Sequence, residues 1–495
     1  MEQGQTSPSS SLQPSTRIPS DSSTLAYSMD TLLKVEIPMI QAQESRQSLR
    51  PPRLHVASFD GTAAGGILCS RNTVVPELVK LISKHENVSR ISAKGVGSDT
   101  GILDRIFGGL SGWGILKHVI TAYRTLSNDY EPGDRIILTG YSRGAWAARY
   151  LAKIIEAVGL PKDGDPKFFR ALYKACDQEY LFNNPETCRA LVDGYECWTD
   201  VNIDALCCFD TVGSLGIPVT GLAKPLSVFC RRRKHKRSDE LVYDVAFNVR
   251  FSFHCLALHE SRSPYTPTLM RGHSAHQVYF PGNHSNLGWI DDTACQLVHA
   301  PLAWMVQQLH THLNISFDQD KLAARFPAYS SPAAEGHGTR ESASIEPGSR
   351  KEWYKGDVKR TNPILLAIVG KRPAMGPVPM VPRTSSSTRV ITCNAVNAAA
   401  DVKVHIGARL RENEMDDFDG VPGYRFTKPV RGSHYWVRKG SWGKGKEAAN
   451  RMPGRLEEAQ VGFLEARLLG LPEEVVGRRG CDALCCSGAT LKSRC

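Results

Sequence analysis

The 495-residue chain has no apolar run approaching the ~20 residues that a membrane-spanning helix needs. Its longest such stretch, Ile364–Val369, is the length of a strand. The first 25 residues are rich in Ser, Pro and Gln, with no basic region leading into an apolar one, so no secretory signal is read there. The 14 cysteines do not form the even ladder of a small disulfide scaffold. Reduced cysteines and an intracellular, cytoplasmic protein are therefore expected. There is no P-loop and no G-x-G-x-x-G turn, which removes the usual nucleotide-binding signatures. No cofactor is expected.

Acidic residues are outnumbered, 50 to 61, for a formal charge of +11. The excess is local: Arg231–Arg237 (RRRKHKR) carries six positive charges, and Arg431–Cys495 a net five. No aromatics interleave with the basic run, so it reads as a solvated insertion, a nuclear-import signal or a contact for an acidic surface. Nucleic acid is not expected as a partner. Apolar residues at 41% and charged residues at 22% exclude wholesale disorder.

Met1–Pro52 reads as a disordered leader, 53–430 as one domain with insertions around a core of about 53–315, and 431–495 as a basic, partly disordered extension. Short apolar runs at Arg53–Phe59, Arg135–Thr139, Ala205–Phe209 and Gln277–Phe280 predict buried strands. Helical spacing predicts helices over Thr73–His85, Ile115–Tyr130 and Ala145–Val158, the last amphipathic and closed by Gly159. Strands alternating with helices predict an α/β fold with a mainly parallel sheet. Gly101–Gly114 is glycine-rich, and Pro327–Arg350 and Lys371–Thr388 read as loops.

Gly140-Tyr141-Ser142-Arg143-Gly144 is a G-x-S-x-G between a predicted strand and a predicted helix. A chain turning that sharply strains the serine backbone, and side chains two positions either side would collide; hence the glycines. The serine oxygen then stands at a helix N-terminus, where the Arg143 N–H can stabilise an oxyanion. Gly61 and Thr62, after the first strand, are the candidates for a second donor. The competing reading is a glycine-rich turn with an inert serine.

A serine hydroxyl needs a base to take its proton and an acid to orient that base. Asp210 directly follows Ala205–Phe209, at the sheet edge where α/β active sites lie; its alternative role is a turn cap. Asp204 begins the same strand and is expected to point away. Five histidines follow: His254, His259, His273, His276 and His284. His284 lies in a turn after Gln277–Phe280, the expected place for a base, whereas His254 and His259 fit satisfied core positions. His273 and His276 form H-x-x-H without a third ligand, so zinc is not expected. Cys481, Cys485, Cys486 and Cys495 read as a disordered tail rather than a metal site.

Several segments occur in order: FDGT at Phe59–Thr62, GVGS at Gly95–Ser98, YEPGDRIILTGYSRGA at Tyr130–Ala145, FDTVG at Phe209–Gly213, HCLALHESR at His254–Arg262 with Tyr265 and Pro267, VYFPGNHSNLGW at Val278–Trp289, and PLAWMV at Pro301–Val306. Together they resemble the α/β-hydrolase domain of the type VI secretion phospholipase effectors, in the branch of uncharacterised homologues common in fungi. The resemblance covers about Leu54–Met305, with fainter matches near His405–Tyr424 and Leu456–Leu469. It implies a triad of Ser142, Asp210 and His284, the same three residues. Five positions depart from the family pattern: Ala63-Ala64 replace W-N, His259 and Asn286 each replace Asp, and Trp289 breaks a glycine run. The expected function is a serine esterase or lipase cleaving carboxylic esters, with phospholipid implied by the resemblance alone. Peripheral membrane contact would use Phe107–Trp113 or the basic run. Alternatives are an inactive hydrolase-fold binding protein and a basic nuclear protein. Oligomeric state has no signature in the sequence.

Overall fold

The computed structural model describes residues 50–61, 72–93, 113–178, 180–183, 185–213, 241–262, 265–272, 275–290, 296–326, 328–329, 352–358, 363, 366, 402–415, 420–427, 434–439 and 455–476. Seven strands form the main sheet: β1 Leu54–Phe59, β2 Val88–Ala93, β3 Arg135–Tyr141, β4 Ile203–Phe209, β5 Val249–Ala257, β6 Ala275–Phe280 and β7 Val402–Val404. Their order is β7-β6-β5-β4-β3-β1-β2, and every neighbouring pair is parallel. The fold is thus an α/β-hydrolase-like parallel sheet flanked by helices.

Burial on both faces explains the continuous apolar runs. In β1, Leu54 and Val56 join one core while Ala57 and Phe59 join the other. The neighbours Cys207 and Cys208 likewise face opposite sides of β4. Helix α1 (Val74–Leu81) covers the first face, and α2 (Trp113–Asp129), α3 (Arg143–Val158) and α4 (Pro166–Asp177) cover the second. The short α5 (His284–Gly288) and the longer α6 (His299–Leu313) return to the first face.

The sequence suggests an amphipathic α3, but every residue from Gly144 to Ile155 is buried. The reason is a second helical layer on its outer side, where Phe182 meets Tyr150 edge-on at 5.5 Å. Each fully buried Leu or Ile there contributes about 1.5–3 kcal/mol. The polar residues on that side are satisfied. Arg149 donates to the carbonyls of Val242, Thr268 and Leu269, and Lys153 pairs with Glu156 at 2.9 Å.

Residues beyond 400 complete the same sheet and core. After β7 come α7 (Ile406–Glu414), a three-stranded antiparallel sheet (β8 Tyr424–Thr427, β9 Tyr435–Arg438, β10 Arg455–Glu457) and α8 (Phe463–Leu469). Tyr424 and Trp436 are fully buried with Leu256, Leu258 and Tyr279 of the main body. The buried His405 donates from Nε2 to Glu465 at 2.9 Å. Among the described residues no helix is long and apolar enough to cross a membrane.

At the amino end of the sheet, Asp134 gathers donors from the turn Glu131–Asp134 and the incoming chain. Its carboxylate accepts from the N–H groups of Arg53 (2.8 Å) and Glu131 (3.0 Å), from His55 Nε2 (2.8 Å) and from both Nη atoms of Arg50. Burial alone would raise its pKa, but Arg50 and the other donors outweigh that and hold it well below the usual carboxylate range. A depressed carboxylate stabilises the fold above its unfolded value, and the benefit fades as pH falls through the folded one. Asp134→Asn is therefore expected to cost about 3 kcal/mol near neutrality, with the gap from wild type closing below about pH 4. Urea unfolding across pH checks this; a pH-independent gap would sink it.

Candidate active site

The strand order reverses between β1 and β3, and the carboxyl ends of strands beside such a switch point open a crevice. Ser142 sits there, between β3 and α3, at φ 60° and ψ −124°. That strained backbone is held from below: Ser142 N–H donates to Phe209 O at 2.9 Å, and Val212 N–H donates to Ser142 O at 3.3 Å. The flanking glycines are sterically required. A Cβ on Gly140 would lie 2.3 Å from Gly144 O, and one on Gly144 would lie 2.1 Å from Phe59 O.

Asp210 follows β4 with φ 43°, anchored by its N–H on Cys255 O at 2.7 Å. Its Oδ1 accepts from Ala257 N–H at 2.9 Å, which leaves Oδ2 for His284 Nδ1 at 2.7 Å. His284 Nε2 lies 2.9 Å from Ser142 Oγ. With Nδ1–H donated to the carboxylate, the Nε2 lone pair faces the hydroxyl. All three side chains are buried. The structure thus brings Ser142, His284 and Asp210 into one hydrogen-bonded line.

The other sequence candidates fall elsewhere. Asp204 accepts from Ile136 N–H at 2.9 Å near the amino end of the strands. His254 is fully buried in β5, accepting from Thr211 N–H and bonding Gln277 Oε1, each at 3.2 Å. Burial, helped by the Arg149 charge, pushes its pKa down to about 3, so it is a neutral core residue. His276 sits on β6 with its ring 5.5 Å from that of His312. Among the described residues no three His, Cys, Asp or Glu side chains gather as metal ligands. Thr62, Ala63-Ala64, His273, Phe107–Gly112, Arg231–Arg237, Lys371–Thr388, most of Pro327–Arg350, Met1–Leu49 and the four C-terminal cysteines lie outside the described residues.

Arg143 N–H opens α3, as expected of an oxyanion donor, and burial pushes the Arg143 guanidinium down to about 10. Gly61 N–H is engaged otherwise: it donates to Asp60 Oδ1 at 2.8 Å, an oxygen that also accepts from Thr73 Oγ1. Burial raises the Asp60 pKa against those two bonds.

The departures around His284 have local explanations. His259 Nδ1 accepts from Gly282 N–H and its own N–H donates to Gly282 O, both at 2.9 Å; an acceptor at this position pins the turn whether it is imidazole or carboxylate. Its Nε2–H then donates to Gly420 O at 3.2 Å. Asn286 and Asn283 cap each other at the start of α5, and Asn286 Nδ2 reaches Asp357 O at 3.1 Å. Trp289 pairs with Thr73 in a two-residue antiparallel ladder. Gly288 just before it is required, since a Cβ there would overlap the Tyr141 ring at 1.9 Å.

Three residues that the sequence presents only as parts of motifs, with no site role assigned to them, pack on His284. The Tyr141 ring stacks on it at 4.8 Å and its hydroxyl donates to His284 O at 2.9 Å. The Tyr265 ring also lies against it, tilted, at 4.6 Å. Glu260 accepts the His284 backbone N–H at 3.2 Å. No side-chain periodicity reveals such contacts; the only signal is their place in or beside the HCLALHESR and YSRGA segments.

A parallel sheet with a serine on a strand–helix elbow, and an aspartate and histidine on neighbouring loops, is the arrangement of the α/β-hydrolase class. Within it, a sequence model of the type VI secretion system phospholipase effector Tle1-like catalytic domain matches residues 53–308, and the chain belongs to that family. The chain spans about half or less of the length of the relatives it matches. It is also similar to uncharacterized protein YEL023C of Saccharomyces cerevisiae, 33% identical over 108 residues, which span 20% of this chain and 16% of the yeast protein. Among solved structures, an uncharacterized protein from Pseudomonas aeruginosa is 14% identical, with 54% of this chain and 46% of that one covered and a TM-score of 0.34. The Tle1 effector bound to the VgrG spike of the type 6 secretion system is 17% identical, with 49% and 52% covered and a TM-score of 0.29.

Proposed function

We propose that the protein is a serine esterase that cleaves carboxylic esters of phospholipid or other fatty-acyl lipids. The carrying observation is the buried line Asp210 Oδ2–His284–Ser142 Oγ, with steps of 2.7 and 2.9 Å. In this reading Ser142 Oγ attacks the ester carbonyl while His284 Nε2 takes its proton. Asp210 holds the imidazolium. His284 returns the proton to the leaving alcohol, and water, deprotonated by the same imidazole, clears the acyl-enzyme. The Arg143 N–H is one oxyanion donor, each such donor supplying about 3–4 kcal/mol. Gly61 N–H or Thr62 N–H supplies the other, and Gly61 does so only by releasing Asp60. The proposal includes action inside the cell, in the cytoplasm, at a lipid surface contacted through Phe107–Trp113 or the basic run 231–237.

The second reading, a hydrolase-fold binding protein without turnover, draws on the Gly61 N–H being bonded to Asp60. A fluorophosphonate probe with a panel of fatty-acyl esters separates the two. Labelling of wild type, and neither labelling nor turnover by Ser142→Ala, is the expected result. A folded wild type that takes no label and hydrolyses none of the esters overturns the esterase.

A further inference from the structure

His284 is gripped by two carboxylates, and the Asp–His–Ser line uses only one. The second, Glu260, is fully buried. Its Oε2 accepts the His284 backbone N–H at 3.2 Å. A buried carboxylate needs a partner, and Arg262 supplies it in fork geometry: Nε and N–H each donate to Oε1 at 2.8 Å, and Nη2 to Oε2 at 2.7 Å. The same guanidinium lies 4.0 Å over the Tyr265 ring, whose centroid is 4.6 Å from that of His284. The pair therefore reaches His284 twice, at its main-chain N–H and through the Tyr265 ring.

We propose that Glu260, clamped by Arg262, is a positioning residue for His284: it fixes the residue's backbone and places negative charge behind the imidazolium. This rests on the reading of His284 as the base. During attack the Ser142 proton passes to Nε2 and no bond to Glu260 changes. Glu260 acts through His284 and does not touch the ester.

The groups facing His284 are Asp210 from the end of β4, Tyr141 from β3, Ser142 at the start of α3, and Glu260, Arg262 and Tyr265 from the segment after β5, with Arg143 next to Ser142 in the chain and close to Tyr265. Of the other elements packed on its helix, 296–298 has no titratable side chain, Glu77 and Lys80 of α1 pair with each other, His254 of β5 is neutral, and Asp357 meets Asn286 through its main-chain carbonyl. Asp210 is common to wild type and variants, so changes at 260 and 262 read out that pair alone.

Glu260→Gln keeps an acceptor for the His284 N–H and removes the charge. Arg262→Met removes the opposite charge and leaves the carboxylate. With p-nitrophenyl butyrate as substrate, Glu260→Gln is expected to lower kcat with KM kept, by up to about 10²-fold, the cost of a misplaced reacting group. The acid limb of kcat/KM should move to lower pH by roughly half a unit, because the imidazolium has lost a stabilising charge. Arg262→Met should move that limb to higher pH, and Arg262→Lys should leave it in place. A merely structural brace would lower activity in both charge variants without moving the limb in opposite directions. Unmoved limbs, shifts of the same sign, or a loss confined to KM overturn the proposal. Should Glu260→Gln fail to fold, Arg262→Met against Arg262→Lys carries the same comparison. A wild type that neither turns over nor takes the fluorophosphonate label overturns the esterase reading itself; an active wild type with unshifted variants overturns this inference alone.

Discussion

Asp210→Asn is expected to lower kcat about 10⁴-fold in a protein that remains folded. The reason is the direction in which the new amide must point. Asp210 Oδ1 is already occupied by the Ala257 N–H at 2.9 Å. An asparagine keeps that bond only by placing its carbonyl there, which aims its NH₂ at His284 Nδ1. A donor facing Nδ1 forces the ring proton onto Nε2, the atom 2.9 Å from Ser142 Oγ. The imidazole would then point a hydrogen where a lone pair is needed. Steady-state kinetics with a soluble ester, beside a thermal melt, tests this. Activity within about tenfold of wild type would remove Asp210 from the mechanism, since losing the orienting acid costs far more than that.

The largest expected stability effect comes from one methyl group on Gly144. Its Cβ would sit 2.1 Å from Phe59 O and 2.6 Å from Asp60 O. Both contacts are with backbone at the carboxyl end of β1, so no rotamer relieves them. Gly144→Ala should therefore cost about 4 kcal/mol or more, a fall of roughly 5–7 °C in Tm for a domain of this size. Gly133→Ala is the control. Gly133 has φ 97° but nothing within 4 Å of an added methyl, so only the backbone term of about 1–2 kcal/mol applies. Equal melting temperatures for the two variants would show that the close approach of α3 to β1 is not what the elbow glycine serves.

Legibility in the sequence follows how locally each feature is determined. Strands β1, β3, β4 and β6 are short apolar runs that stop at turn residues, and that pattern reveals them. It does not reveal β5, because Ser252 and His254 interrupt the run. His254 is tolerated inside because Thr211 and Gln277 satisfy both of its ring nitrogens. β2 escapes because Ser89, Arg90 and Ser92 dilute its pattern at the sheet edge. β7 is three residues long and pairs with β6 across more than 120 residues of chain, which no local window sees. At the site, Ser142, Asp210 and His284 are each readable from their place in the turn after a strand. The bond between Gly61 and Asp60, and the reach of Glu260 to a backbone N–H 24 positions away, depend on tertiary approach and carry no signature of their own.

The family match stops at residue 308, yet the loop that presents His284 is tied down by residues made later. Asp357 O holds Asn286, Gly420 O holds His259, and β7 covers the open edge of β6. On the ribosome, therefore, Ser142 and Asp210 emerge long before the last supports of His284 exist. A nascent chain carries Ser142 for well over a hundred residues before the His284 loop can be fastened. Vectorial synthesis thus builds in a delay: on the proposed reading, competence waits for residues 357–420, and a chain released before them keeps Ser142 without a fastened His284 loop.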